Sequence, residues 1–184
     1  MKKAFPIALM ILGVVFLGAG AYTLVRGFDA RDQVHDELVA QGIVTPPDAS
    51  VPNVRVDDAH TANVMADVID KHAREATGGR TYAEMGRFLA KDGTDTNDEA
   101  AAVLDAAGKP VANPLRNTAF QASSLRTSLY ASVMAFNISD LVIGLGAMIL
   151  VLGLAVGGMG VALGGLAIPA LSRRLHVEPV AAAH

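Results

Sequence analysis

Not one of the 184 residues is cysteine. Disulfides, thiolate metal sites, iron–sulfur ligation and cysteine nucleophiles are therefore excluded together. The chain also lacks a phosphate-cradling glycine loop, a nucleophile elbow and a zinc-binding helix motif. No internal repeat is present, and the only low-complexity tract is the alanine-rich C-terminal end. Large side chains are scarce in the polar middle, which makes an enclosed enzyme pocket difficult to build there. Charge is missing from two long stretches: Ala4 to Val25, and Leu141 to Leu171, a run of 31 residues.

Those two uncharged stretches organise the rest. About 20 residues of apolar helix cross the hydrocarbon of a bilayer, and 22 residues reach roughly 33 Å. The first stretch is bounded by Lys2 and Lys3 before it and Arg26 after it, and Pro6 falls in a first turn that tolerates it. Ala19-Gly20-Ala21 offers a competing reading as a signal-peptide cleavage site, but apolar residues continue to Val25. Basic residues mark the cytoplasmic side, so Lys2, Lys3, Arg173 and Arg174 predict both termini there. Between Gly27 and Arg126 the chain carries 10 Lys/Arg and 16 Asp/Glu, a balance that suits an outward location and does not suit nucleic acid.

The expected fold class is an all-α integral membrane protein of the cytoplasmic (inner) membrane. Two antiparallel transmembrane helices would hold a small helical outward-facing domain between them. Its parts are a cytoplasmic N-terminus (1–4), transmembrane helix 1 (5–25), an extracytoplasmic helical domain (26–128), transmembrane helix 2 with outer and inner extensions (129–171), and a cytoplasmic tail (172–184).

Within the outer part, Arg26 to Gln41 keeps a helical pattern that ends at Gly42, and Thr45-Pro-Pro-Asp48 breaks it. The spacing of Val64, Val68 and Ile69 predicts a helix from about Asp58 to Thr77, stopped by Gly78-Gly79. Thr81 and Glu84 have capping-box spacing, which predicts a short helix to about Ala90. A second short helix is expected over Glu99 to Ala107, and the last begins near Leu115 or Arg116. Phe28, Tyr82, Phe88, Leu89, Leu104 and Phe120 form the expected core, thin enough to need support from the two long helices.

In the first span Gly13, Gly20 and Gly27 recur every seven residues, and Gly146, Gly153 and Gly160 do so in the second. Residues seven apart share a helix face, and small residues there let backbones approach closely in lipid. One antiparallel register aligns Gly20 with Gly146 and Gly13 with Gly153, and it sets Arg26 beside Asp140 as an interhelix ion pair. Gly157 and Gly164 widen the close-contact face beyond what one partner helix needs. Together with the polar row Gln121, Ser124, Ser128 and Ser132, they suggest further partner helices. Beyond Ala162, Leu163 to Leu171 is surplus, either bent along the membrane surface or taken up by tilt.

Two segments carry a resemblance. Lys71-His-Ala-Arg-Glu-Ala-Thr-Gly-Gly-Arg-Thr-Tyr-Ala-Glu84 and the run from Asn117 to Phe136 resemble a family of small actinobacterial membrane proteins with two spans. Many of these are labelled aromatic ring-opening dioxygenase. The resemblance covers the second half of the outer domain and the second span, and Gly86 to Pro114 is longer here than in the family pattern. It implies the two-span topology and transfers no catalytic residues.

Ring cleavage of that kind needs iron held by two imidazoles and a carboxylate. His35, with Asp36 and Glu37, has compact ligand spacing, and His60 or His72 would have to complete the set, while His176 and His184 fall across the membrane. Asp67, Asp70 and His72 lie near one another on one predicted helix. Solvated faces account for both groups better than a metal does, so no catalytic, cofactor or metal residue is assigned. The expected function is a non-catalytic accessory or assembly subunit of a larger bacterial membrane complex, respiratory or envelope, whose partners are the membrane and other membrane-protein subunits. An extracytoplasmic sensor of an unknown small ligand is the alternative, and the dioxygenase is the third class.

Overall fold

The computed structural model describes the backbone of residues 4–175 and the side chains of residues 4–165. Lys2, Lys3, His176 and His184, and most of the expected tail, lie outside the described residues, as do the side chains of Arg173 and Arg174. Helix α1 is Ala4–Gln41, α2 is Ala59–Thr77 and α3 is Pro114–Leu175, with strands β1 (Phe88–Leu89) and β2 (Asp95–Thr96) between α2 and α3. Two helical segments, Ala4–Gln41 and Pro114–Gly165, are long and apolar enough to cross a membrane. Only 17% and 11% of their apolar windows are buried within the chain. A core helix of a water-soluble protein would be covered on most of its surface.

Chain contacts divide the molecule into two units, one comprising the residues up to Arg31 and from Ile138 onward, the other Asp32–Asn137. In the first, α1 and α3 meet backbone to backbone. In the second, Leu38 of α1, Ala62 and Ala66 of α2, and Leu129 and Phe136 of α3 close around Val56. Val34, Ile43, Ala59, Met65, Ile69 and Val133 pack against that cluster.

Local chemistry sets the helix limits in this unit. Gly42 takes φ 63°, a left-handed conformation that releases the chain from α1. The buried Thr45 hydroxyl donates to the Val51 carbonyl at 2.6 Å and accepts from the Val54 N–H at 3.0 Å, which pins the proline-containing loop that follows. Asp58 caps α2 by accepting from the Thr61 N–H at 2.7 Å, while the Thr61 hydroxyl accepts from the Asp58 N–H at 3.1 Å. This reciprocal pairing satisfies two of the N–H groups that a helix start leaves open. At the other end Gly78 adopts φ 63° and ends α2 after Thr77.

The region after α2 departs from the all-α expectation, and the fold is mostly helical with a small β-containing lobe. Thr81 and Glu84 do interact, since Glu84 accepts from the Thr81 N–H at 2.7 Å and the Thr81 hydroxyl at 2.8 Å. They cap only a single 3-10 turn, Tyr82–Glu84, instead of a helix to Ala90. Gly86 explains the change: a Cβ there would lie 2.5 Å from the Thr96 N, so the backbone of β2 occupies the space a side chain needs. β1 and β2 pair antiparallel, Phe88 with Thr96 and Leu89 with Asp95. Glu99 to Ala107 is extended and turn-forming, not helical. The Val103 N–H donates to Leu89 O at 2.8 Å and the Val111 N–H to Val103 O at 2.8 Å. The Asp105 carboxylate accepts from the N–H groups of Ala107 and Lys109, both at 2.9 Å.

The expected core also needs correction. Phe28, Tyr82, Leu104 and Phe120 are all at least 39% exposed, whereas Leu38, Leu129 and Phe136 are 6% exposed or less. The longer helices, with their regular apolar faces, supply the aliphatic positions that exclude water.

Candidate helix-packing interface

Seven-residue spacing places Gly13, Gly20 and Gly27 on one face of α1, and the structure turns that face onto α3. A Cβ at Gly13 would fall 2.5 Å from the Gly157 Cα, and one at Gly20 would fall 2.7 Å from the Leu150 N. At Gly27 it would meet the Ile143 N at 3.0 Å. As position rises along α1 from Gly13 to Gly27, the contacted position falls along α3 from Gly157 to Ile143.

From the α3 side, a Cβ at Gly146 would lie 2.8 Å from the Leu24 N and 3.1 Å from Gly20 O. One at Gly153 would lie 2.9 Å from the Leu17 N, and one at Gly160 2.8 Å from the Met10 N. The structure thus brings Gly20 against Gly146 and Gly13 against Gly153. At Gly13, Gly20, Gly146, Gly153 and Gly160 the obstructing atoms include backbone closer than 3.0 Å, so a larger residue at any of these positions requires the helices to shift.

Gly157 and Gly164 also face α1, more loosely: a Cβ would meet the Gly13 Cα at 3.6 Å and the Pro6 Cβ at 3.8 Å, respectively. They widen the contact with α1 instead of offering a separate face. Glycines of a different set are open, because a Cβ at Gly18, Gly144, Gly158 or Gly165 would meet nothing within 4 Å among the described residues. Gly158 and Gly165 lie seven apart and Gly144 fourteen before Gly158, so these three share a face of α3. Sequence reasoning missed this second row because Val151 interrupts its period.

The ion pair differs from the expected one. Asp140 accepts from the Arg31 guanidinium, and Arg26 lies 3.6 Å from Asp29 on its own helix. Helix geometry gives the reason. Arg31 follows Gly27 by four residues and so shares the glycine face, whereas Arg26 precedes Gly27 by one and points about 100° away. Asp140 precedes Ile143, the residue touching Gly27, by three, so it reaches the same strip.

The candidate metal ligands are dispersed among other contacts. His35 Nδ1 lies 2.8 Å from Asp57 O, and His72 Nε2 lies 2.9 Å from an Asp48 oxygen that also accepts from Lys71 at 2.8 Å. Those two hydrogen bonds, Lys71 first, hold the Asp48 carboxyl down at about 2. Asp70 accepts from Arg74 at 3.0 Å and from Arg126 at 2.7 Å, so its charge is committed to two guanidiniums. Among the described residues no group of three or more His, Asp or Glu side chains is arranged to hold a metal ion. No protein family, curated protein or solved structure matches the chain.

Proposed function

We propose that this chain is a non-catalytic accessory or assembly subunit of a larger bacterial membrane complex. Its two apolar helices would form an antiparallel hairpin across the cytoplasmic membrane, with the polar unit on the outer side. The observation that carries this reading is the second glycine row, Gly144, Gly158 and Gly165, open to contact on a helix that has already filled its first row against α1. Around it lie exposed Met148, Val151, Leu154, Met159 and Val161. Lipid tails solvate such side chains as well as a protein does, so apolar exposure alone selects no partner. Glycine is different, because it costs helix stability and returns it only where another backbone comes close.

The natural absence of cysteine makes the test clean. A single Gly144→Cys or Gly158→Cys variant carries one thiol, and a thiol-attached benzophenone, which inserts into neighbouring C–H bonds on illumination and needs no amine inside the hydrocarbon, should join it in intact membranes to a different membrane protein, identified by mass spectrometry. Val14→Cys, exposed on the other helix, should not give that product. Equal labelling from all three positions, or products containing only this chain, would contradict the proposal.

A further inference from the structure

A cleft of about 280 Å³ in the β-containing lobe is lined by Arg87, Arg116, Tyr82, Phe120 and Asn117. The Arg116 guanidinium stacks 3.8 Å from the centroid of the Tyr82 ring, and the Tyr82 and Phe120 rings are 5.7 Å apart at 48°. The Arg116 Nε is buried with no hydrogen-bond acceptor among the described residues. Arg87 sits at the same cleft with its side chain over Phe88, 5.2 Å from the ring centroid. Neither arginine faces a carboxylate among the described ion pairs.

That is not what composition leads one to expect. Acids outnumber bases 16 to 10 between Gly27 and Arg126, and the neighbouring arginines have all found one. Arg74 and Arg126 share Asp70, and Arg80 is paired with Asp95. Two guanidiniums left beside one concavity supply fork-shaped donors matched to an oxyanion. Phe120, 54% exposed, offers an apolar ring beside them. The volume is at the small end for ligand sites, enough for one ring-sized body.

We propose that this cleft binds a small solute carrying a phosphate or carboxylate group on a flat apolar body, with Arg87 and Arg116 holding the anion and Phe120 stacking on the body. This site is separate from the glycine row and stands or falls without it.

The full chain in an uncharged detergent, ¹⁵N-labelled at arginine, would be titrated with phenyl phosphate, benzoate, inorganic phosphate and benzyl alcohol. Phenyl phosphate and benzoate should give saturable shifts at the Nε–H of Arg87 and Arg116, with inorganic phosphate weaker and benzyl alcohol silent. Arg87→Gln and Arg116→Gln should each weaken binding about tenfold or more, the loss expected for one charge-assisted contact, while Arg55→Gln leaves it unchanged. Arg87 makes no side-chain hydrogen bond among the described residues, so its variant reports on binding even if Arg116→Gln disturbs Tyr82. Absence of saturation up to about 10 mM, a concentration that detects even millimolar affinity, would overturn the site. So would binding that survives both substitutions. Equal affinity for inorganic and phenyl phosphate would overturn the stacking role of Phe120.

Discussion

The two units solve the same problem, holding helices together, with opposite materials. Asp32–Asn137 uses side chains: aliphatic and aromatic groups from three helices exclude water around Val56, and capped termini and ion pairs finish the edges. The other unit removes side chains: glycines on α1 and α3 bring backbone within Cβ distance of backbone. The first device draws on the hydrophobic effect and has force only against water. The second draws on close van der Waals contact and retains its force in lipid, where burial of an apolar side chain gains nothing. Packing of the first kind suits a unit in water, and packing of the second kind would keep its force in a bilayer, which the two long apolar helices are long enough to cross.

That contrast is broken most severely at Phe136, 2% exposed in the aliphatic cluster. Phe136→Ala should cost about 3–5 kcal/mol, the transfer and cavity terms together. Hydrogen exchange should show α2 amides losing protection. Retention of native protection would mean that water exclusion is not what holds the three helices together there.

A smaller effect, of opposite sign at two neighbouring positions, tests the glycine contacts. Gly20→Ala drives a methyl to 2.7 Å from the backbone N of Leu150 and should destabilise by about 1–3 kcal/mol. Gly18→Ala meets nothing within 4 Å among the described residues and should be neutral or stabilising by up to about 1 kcal/mol through helix propensity. Steric trapping of the reversible separation of α1 from α3 in detergent measures both. Similar values for the two variants would remove the distinction between a packed glycine and an open one.

What the sequence discloses follows how far apart the interacting residues are. The ends of α2 are legible because their causes are local: an acidic cap three residues from its hydroxyl partner, and a glycine whose φ of 63° few other residues tolerate. Gly42 ends α1 for the same reason. The glycine period is legible because a face is defined by spacing along a single helix. Arg31 is within reach of that logic, being one helical turn past Gly27, but the glycine register matches positions by level alone and so sets Arg26 beside Asp140 without regard to the direction in which each side chain points. The lobe from Gly86 to Ala112 is harder. Its alanines favour helix, and only long-range partners such as Leu89 for Val103 hold them extended. The available clue was turn chemistry, Asp92-Gly93 and Asp105 to Gly108, where both glycines have positive φ. The Arg87 and Arg116 cleft could not be read at all, since its walls converge from segments separated by the β lobe.

The smallest expected effect concerns Asp48, which ties the proline-containing loop to Lys71 and His72 on α2. Its folded pKa lies below the ordinary 3.8, at about 2. The stabilising contribution is therefore complete above the unfolded value and fades only as pH falls through the folded one. For Lys71 the shift is upward, caused first by the hydrogen bond to Asp48, so its share is present at neutral pH and is lost as pH rises through its elevated value. Both groups are solvent-exposed, which limits the effect on overall stability. The carboxyl ¹³C resonance of Asp48 should titrate with a midpoint near 2 in the native chain and move toward 3.8 in Lys71→Ala, because the largest cause is then gone. A native midpoint already near 3.8 would show the loop untethered in solution, and the unit Asp32–Asn137 would then rest on its aliphatic cluster with less help from charge than the contrast with the glycine-packed unit implies.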